Sequence, residues 1–400
     1  MRDYLERLRA TVGLVEPGML AVAILLLTSL VFFRVALLPE FGRDLSMTTL
    51  QLGAVTTVFA LGRLLADLPG GHLADRYPAR GLLSVSAAGL GVASLVMGLS
   101  QSTLPLYAAA MLLGVASSTN NATGMTYFSN VGGTALRGTS MAVFSAGLLG
   151  GQALGPAAAG LIATAADWRF AMFVAASVGA LVSVTLAFTS ERRAPLPAVE
   201  PSPTTADTIK GGGPSLGSML VLQGVSFASF LTLGAVAQTL VPVVGSDELG
   251  LSAAGLGLAL GAGGLARFVG TLVGGRLSDL VSRKTALVPG LLVQAAGVGL
   301  LTFRPTPVLF VTAIVVMSLA SFAIPVAATI VGDLAVPGGV GKQLGRFRFA
   351  GDLGLISGPL LVSGLYQQWG REVAFSAVAG ILTLSALVSF RLLPETGADS

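Results

Sequence analysis

The feature that most constrains this chain is a twenty-residue stretch that occurs twice. The first copy is LGRLLADLPGGHLADRYPAR, residues 61–80, and the second is LARFVGTLVGGRLSDLVSRK, residues 265–284, at an offset of 204 positions without a gap. The offset is about half of the 400-residue length. The sequence therefore predicts two tandem copies of one large unit, not a series of short repeats.

Composition places these two units in a membrane. The chain is 53% hydrophobic and only 10% charged, whereas a soluble globular protein carries about 25% charged residues. Cysteine is absent and histidine occurs once, which excludes disulfides, thiolate chemistry and Cys/His metal sites. The net charge of +4 comes from cations scattered through short loops, so nucleic-acid binding is not expected.

Spanning a bilayer takes about 20 apolar residues, and the chain contains twelve such runs. We predict an all-α polytopic membrane protein with twelve transmembrane helices in two pseudo-symmetric six-helix bundles. The runs lie near residues 17–38, 49–70, 80–99, 104–126, 138–164, 169–190, 216–243, 252–274, 284–303, 306–330, 343–367 and 372–393.

The remaining segments define the predicted domain boundaries. An amphipathic segment, 1–15, precedes the first bundle, 16–190, and is expected to lie on the membrane surface. A linker rich in Pro, Ser, Thr and Gly, 191–215, leads to the second bundle, 216–393, and a tail, 394–400.

The distribution of Lys and Arg residues predicts the orientation of the chain in the membrane. If both termini are cytoplasmic, 15 of the 23 cations face the cytoplasm, four lie within helices and four lie outside. The positive-inside rule therefore predicts a multi-pass protein of the plasma membrane with both termini in the cytoplasm. The four outer cations are Arg43, Arg169, Arg304 and Arg371.

Each copy of the repeat ends an apolar run in two glycines and turns through an Asp and basic residues. This pattern resembles the loop motif of the major facilitator superfamily between helices two and three, with a weaker copy between helices eight and nine. The first copy departs from the motif at Pro78 and Ala79, and the second lacks an Arg after its Asp. The predicted gating residues are Gly71, Asp75, Arg76 and Arg80 in the first copy and Gly275, Asp279, Arg283 and Lys284 in the second.

The resemblance implies a transporter that works by alternating access, in which these loops stabilise the outward-facing state. It also implies that helix two packs beside helix eleven. An inter-bundle network of Arg63, Asp67, Arg348 and Asp352 then becomes a candidate for proton coupling, and a static salt-bridge lock is the alternative. Asp67 has no acidic counterpart in the second copy, where Thr271 stands.

Ionisable residues inside membrane spans usually face protein or a water-filled cavity. Arg63 and Arg267 occupy equivalent places on the glycine-bearing stripes of their helices, so they are predicted to bind an anionic substrate group. The alternative is that Arg63 pairs with Asp67 and Arg267 braces a carbonyl. Arg34, in the outer half of helix one, lines the outward cavity or extends to the outer interface.

Polar uncharged residues offer further contacts. Asn120 and Asn121 in helix four, with Gln223 and Gln238 in helix seven, either orient a substrate or form interhelical hydrogen bonds.

Small residues spaced by four predict close helix packing. Those in helix five also resemble the superfamily's antiporter motif, which favours export slightly. The predicted packing residues are Gly147, Gly151, Gly155, Pro156, Gly358 and Pro359.

Three functions follow from these observations. The first is a secondary transporter of a small organic solute, anionic or amphipathic, coupled to protons. The second is a multidrug/proton antiporter of the same fold, and the third is a solute-sensing receptor without flux. Cysteine, an HExxH motif and a Walker A loop are all absent, so an enzyme is not expected. No cofactor or metal is predicted, and a monomer suffices.

Overall fold

The protein is almost entirely helical. A computed structural model describes residues 15–131, 133–189, 216–304, 306–335 and 339–396, and within these ranges it contains no β-strand. The predicted linker, 191–215, lies outside the described residues, as do 1–14 of the amphipathic segment and 397–400 of the tail.

Six helices form the first half of the chain. They are α1 (Val15–Asp44), α2 (Thr49–Arg76), α3 (Ala79–Leu99), α4 (Thr103–Asn130), α5 (Gly133–Ala165) and α6 (Trp168–Phe188).

The second half has the same pattern with three irregularities. Its helices are α7 (Leu216–Asp247), α8 (Ala253–Leu280), α9 (Arg283–Leu300), α10 (Pro307–Leu334) and α11 (Val340–Leu392). The middle of α7, Thr232–Leu240, is π-helical, and α10 contains a 3₁₀ turn at Ala320–Phe322. Helix α11 bends at Gly370, which has a φ of 81°. Glycine adopts this angle readily because it has no Cβ, whereas other residues would be strained.

Each predicted apolar run lies on one of these helices. Among the described residues, nine helices are long and apolar enough to cross a membrane, and the bend divides one of them, α11, into two arms. Helices α4 and α9, which are not among the nine, cover the two remaining runs. The all-α polytopic fold class is therefore confirmed.

The helices group into two compact units. The described part of the first unit comprises residues 15–40, 58–189 and Ser252–Gly261. The second comprises Phe41–Thr57, 216–251 and the described residues from Ala262 onward. The units thus follow the two halves of the sequence except at the first turns of α2 and α8.

Glycines let α5 approach α1 closely in the first unit. A Cβ added to Gly147 would lie 3.1 Å from the carbonyl oxygen of Ala21, and one added to Gly151 would lie 2.6 Å from that of Leu25. At Gly155 the distance to the Ser29 oxygen would be 2.4 Å. Small residues at these positions permit backbone contact where larger side chains would hold the helices apart.

The second unit repeats this packing between α11 and α7. A Cβ on Gly354 would lie 2.2 Å from the Phe227 oxygen, and one on Gly358 would lie 2.9 Å from Leu231 Cγ. With the repeat offset of 204, Gly354 corresponds to Gly150 in α5. The same pair of helices is therefore in close contact in each unit.

A second equivalent contact joins α2 to α4 and α8 to α10. A Cβ on Gly114 of α4 would lie 2.1 Å from the Phe59 oxygen of α2, and one on Gly263 of α8 would lie 3.2 Å from Ser318 Oγ of α10. The offset of 204 relates Phe59 to Gly263 and Gly114 to Ser318. The repeat seen in the sequence is thus a repeat of helix contacts.

The first turns of α8 pack on the proline-containing part of α5 within the first unit. Cβ atoms on Gly160 and Gly257 would lie 2.1 Å from the Ala253 oxygen and 2.3 Å from the Pro156 oxygen. The Ala254 N–H also donates to Thr164 Oγ1 at 2.9 Å.

In the second unit, the start of α2 packs on α7 and α11. Thr57 Oγ1 donates to the Ile356 oxygen at 2.7 Å, and Thr239 Oγ1 donates to Thr56 Oγ1 at 3.0 Å. A Cβ on Gly53 would lie 2.6 Å from the Pro359 oxygen.

We predict that Gly151→Ala destabilises the protein whereas Gly150→Ala does not. The new methyl at residue 151 meets α1 backbone, but at residue 150 it meets only the mobile end of Leu25 at 3.4 Å. Overpacking against backbone costs about 1–3 kcal/mol of unfolding free energy. Thermal unfolding in detergent measures the difference, and equal melting temperatures for the two variants would contradict the close α1–α5 approach.

Candidate functional site

Two arginines lie together within the first unit. The Arg34 side chain in α1 is 1% exposed, and its Cζ lies 3.8 Å from the centroid of the Phe59 ring in α2. Arg63 follows Phe59 by one turn of α2, is half-buried, and lies close enough to Arg34 for their charges to repel. A cation over an aromatic face is stabilised by the ring quadrupole. Two helices therefore place two guanidinium groups within electrostatic range of each other.

Asp67 is tied to α4. It lies one turn after Arg63, is half-buried, and accepts a hydrogen bond from the hydroxyl of Ser118. The predicted site residues Arg63 and Asp67 thus belong to the first unit.

Buried polar groups extend from this region along α4. Asn120 and Thr123 are each 1% exposed, and the Asn120 Oδ1 and Thr123 Oγ1 atoms have no hydrogen-bond partner. Thr28 Oγ1 in α1 is in the same state. Asn121 is only half-buried.

The second unit holds the other predicted site residues. Arg267 and Gln223 are half-buried, and Gln238, at 4% exposure, lies in the π-helical part of α7. Such π-helical segments are often found at functional sites. By the offset of 204, Gln238 corresponds to Arg34.

Arg348 and Asp352 also belong to the second unit, on α11. Arg348 is exposed, whereas Asp352 is 7% exposed. The predicted four-residue network is therefore divided between the units, with Arg63 and Asp67 in one and this pair in the other.

The first motif loop contributes one buried cation. Arg80 is 6% exposed, its Nε lies 3.1 Å from Glu16 Oε1, and its Nη1 donates to the Thr189 oxygen at 3.3 Å. It thereby joins the ends of α1, α3 and α6. Asp75 and Arg76 are exposed, and a Cβ on Gly71 would meet nothing within 4 Å.

The second motif loop forms a larger ionic cluster. Arg283 donates from Nε to Asp333 and from Nη1 to Asp279, each at 2.9 Å. Burial lowers the pKa of Arg283, but these two carboxylates outweigh burial and raise the pKa above its usual value. The Arg283 charge therefore joins α8, α9 and α10 at any physiological pH.

Lys284 anchors the end of the chain to α9. Its Nζ lies 3.8 Å from Glu395 Oε1 and 5.3 Å from the Phe390 ring, and the Arg283 N–H donates to the Thr396 oxygen at 2.9 Å. Gly275, the remaining predicted gating residue of this copy, has open space around it.

Sequence reasoning missed the partners of these residues. Glu16, Phe59, Ser118 and Asp333 are far in sequence from the residues that they contact, and no spacing rule points to them. The only signal was the apolar surroundings of Glu16 and Asp333, where an acid needs a partner. Within the described residues, no group of three His, Asp or Glu side chains could hold a metal ion.

These features define an α-helical membrane protein with paired charges in its spans and two copies of one loop motif. The sequence model of the Major Facilitator Superfamily matches residues 19–243 and 222–400. The chain therefore belongs to that superfamily, and the resemblance found in the motif loops is confirmed.

Two relatives that align over most of this chain are named as transporters. The chain is 26% identical to the D-galactonate transporter of Escherichia coli O6:H1 (strain CFT073), over 87% of each chain. It is 25% identical to the hexuronate transporter of Bacillus subtilis (strain 168), over 89% of this chain and 88% of the relative.

A solved structure shares the fold. A bacterial homolog of the human lysosomal transporter Spinster, inward-facing and occupied, superposes with a TM-score of 0.75 at 15% identity, covering 94% of this chain and 95% of that chain. The family and the relatives named as transporters support a membrane transporter.

We predict that Arg80 and Glu16 are energetically coupled. Arg80→Ala leaves Glu16 without its cation, and because Glu16 is only partly buried, the coupling free energy should be about 1–2 kcal/mol. A double-mutant cycle of thermal stability in detergent, Arg80→Ala with Glu16→Ala, measures it. Arg76→Ala, in the exposed part of the same loop, should change stability by less than about 0.5 kcal/mol. Strictly additive effects of Arg80→Ala and Glu16→Ala would show that the pair is not coupled.

Proposed function

We propose that this protein is a secondary transporter of small hydroxylated carboxylates, of the sugar-acid type, that works by alternating access. The observation that carries the proposal is the pairing of Arg34 and Arg63 inside membrane-spanning helices.

Two like charges in one place repel, and an ionised side chain in a membrane span is costly. The two guanidinium groups also have other contacts. An anion that reaches both of them offsets their mutual repulsion and accepts charge-assisted hydrogen bonds from them. A guanidinium matches a carboxylate in shape, since two parallel N–H groups face two oxygens. The Phe59 ring lies over one face of the Arg34 guanidinium, and this contact fixes the orientation in which Arg34 is offered.

The names of two relatives indicate the chemical class of the substrate anion. Two transporters that align over most of this chain are named for D-galactonate and for hexuronates, and these substrates are sugar carboxylates rich in hydroxyl groups. Asn120 and Asn121 in the first unit, and Gln223 and Gln238 in the second, are amides that can bind such hydroxyls. Arg267, in the second unit, is proposed as a further substrate-binding cation.

Proton coupling is assigned to Asp67, with Asp352 as the second buried carboxylate. Asp67 lies one turn from Arg63 and is held by Ser118. A carboxylate beside a substrate-binding arginine changes its proton affinity when the substrate anion arrives, because the charge balance around it changes. Arg348 is placed with Asp352 in this role.

The remaining features fit a plasma-membrane transporter. Twelve spans, cytoplasmic termini and a monomeric state are part of the proposal. The motif loops are proposed to gate the cytoplasmic side. Asp75 and Arg76 are exposed, and Gly71 has open space where a Cβ would lie.

The test of the substrate site is counterflow of labelled D-galactonate in proteoliposomes, which is independent of transport direction. Arg34→Gln and Arg63→Gln should each raise the half-saturating concentration by about tenfold to hundredfold, because each removes a charged hydrogen bond worth about 1.5–3 kcal/mol. Arg34→Lys should recover only part of this, since it cannot bind in two parallel bonds. Arg391→Gln, at the exposed end of α11, is the control. Unchanged half-saturation in both arginine variants would remove the site.

Proton coupling is tested separately with Asp67→Asn. If Asp67 carries the proton, this variant keeps substrate exchange but loses accumulation driven by a pH gradient, because exchange needs no net proton movement. Ser118→Ala, which keeps the carboxylate, should retain accumulation. Gradient-driven accumulation by Asp67→Asn at the wild-type level would exclude Asp67.

The same proteoliposomes decide between the other functions. A multidrug/proton antiporter would exchange amphipathic drugs and ignore D-galactonate. A receptor would bind ligand without any counterflow.

A further inference from the structure

A cavity of about 690 Å³ lies in the second unit, apart from the arginine pair. It opens where α7 and α9 end and α11 bends, and the predicted topology places these ends outside the cell. Its polar lining consists of Glu248, Thr302, Arg304, Arg371, Glu372 and Ser376. Sequence reasoning gave none of these residues a role in binding.

The cavity wall contains a fixed arginine. Arg371 Nη1 pairs with Glu248 Oε2, and the other oxygen, Oε1, accepts from the Tyr366 hydroxyl at 2.8 Å. Because both oxygens of Glu248 are engaged, Glu248 holds Arg371 in position instead of competing for a ligand. The Nε of Arg371 is buried and has no hydrogen-bond partner. This atom is closed to solvent, so a ligand would reach Arg371 through the part of its side chain that lines the cavity.

In the corresponding corner of the first unit, an arginine bridges the end of one helix and the start of another. Arg169 Nη1 donates to the Gly98 and Ser100 oxygens at 2.9 and 2.8 Å, and its guanidinium lies 4.4 Å from the Trp168 ring centroid. At the offset of 204, Val373 and Glu372 replace Arg169 and Trp168, and Arg304 replaces Ser100. The second unit therefore lacks the arginine and tryptophan of this corner and carries Glu372 and Arg304 instead.

We propose that this cavity is a peripheral binding site for small hydroxylated carboxylates, from which they enter the transport path. The inference rests on the proposed function for the identity of the ligand. The cavity-lining part of Arg371 and the exposed guanidinium of Arg304 bind the carboxylate. The exposed Glu372 carboxylate accepts hydrogen bonds from ligand hydroxyls, and this selects against simple inorganic anions.

Because the chain has no cysteine, a single cysteine reports on the cavity. Ser376→Cys places a thiol at an exposed position of the lining, and a membrane-impermeant maleimide added to intact cells measures its reactivity. D-Galactonate at tenfold its dissociation constant should slow labelling about tenfold by mass action. Galactitol, which lacks the carboxylate, should not. Gln101→Cys, on an exposed loop of the first unit, should label at the same rate with and without D-galactonate.

Arginine substitutions test whether the cavity binds the ligand through its carboxylate. In the Ser376→Cys background, Arg304→Gln should remove most of the protection. Arg34→Gln should raise the half-saturating concentration for counterflow and leave protection unchanged. Labelling that D-galactonate does not slow, or no labelling from outside at either Ser376→Cys or Thr302→Cys, overturns the proposal. Protection without any counterflow would instead refute the proposed transport function and leave the peripheral site standing.

Discussion

The interaction on which this structure depends is the cost of holding charge among apolar helices. An ionised side chain in a membrane span persists only where protein groups surround it. In the first unit, Arg34 is covered by the Phe59 ring, and Asp67 is held by Ser118. At the helix ends, Arg80 and Arg283 meet carboxylates of other helices. Each of these contacts fixes one helix against another, so the charges organise the bundle as well as serving a substrate.

Glycine makes those contacts possible. A charge can be shielded only if the neighbouring helices approach within hydrogen-bonding reach, and the stripes on α5 and α11 allow approach to backbone distance. The same pairs of helices meet in both units at an offset of 204 residues. The charges do not repeat in the same way, since Arg34 corresponds to Gln238 and Asp67 to Thr271. The helix contacts repeat between the units, whereas the charged residues of the two units differ.

The difference between local sequence patterns and contacts between helices explains how much of the structure could be predicted from the sequence. Long apolar runs and a doubled motif are local signals, and they predicted the helices and the superfamily. The glycines of α5 could be singled out because their spacing of four is visible in the sequence. Partners such as Glu16 for Arg80 depend on which helices lie side by side, and no local pattern encodes that. The π-helical turn around Gln238 and the departure of Phe41–Thr57 from the first unit arise from packing, which overrides periodicity.

The bend at Gly370 has a mechanical consequence. Helical hydrogen bonding continues up to this residue from both directions, so the two arms of α11 are connected by one residue and not by a loop. Because a single residue separates the two arms, the start of one arm is held close to the end of the other. Lengthening the joint by a few flexible residues would decouple the arms while leaving every side-chain contact of either arm in place.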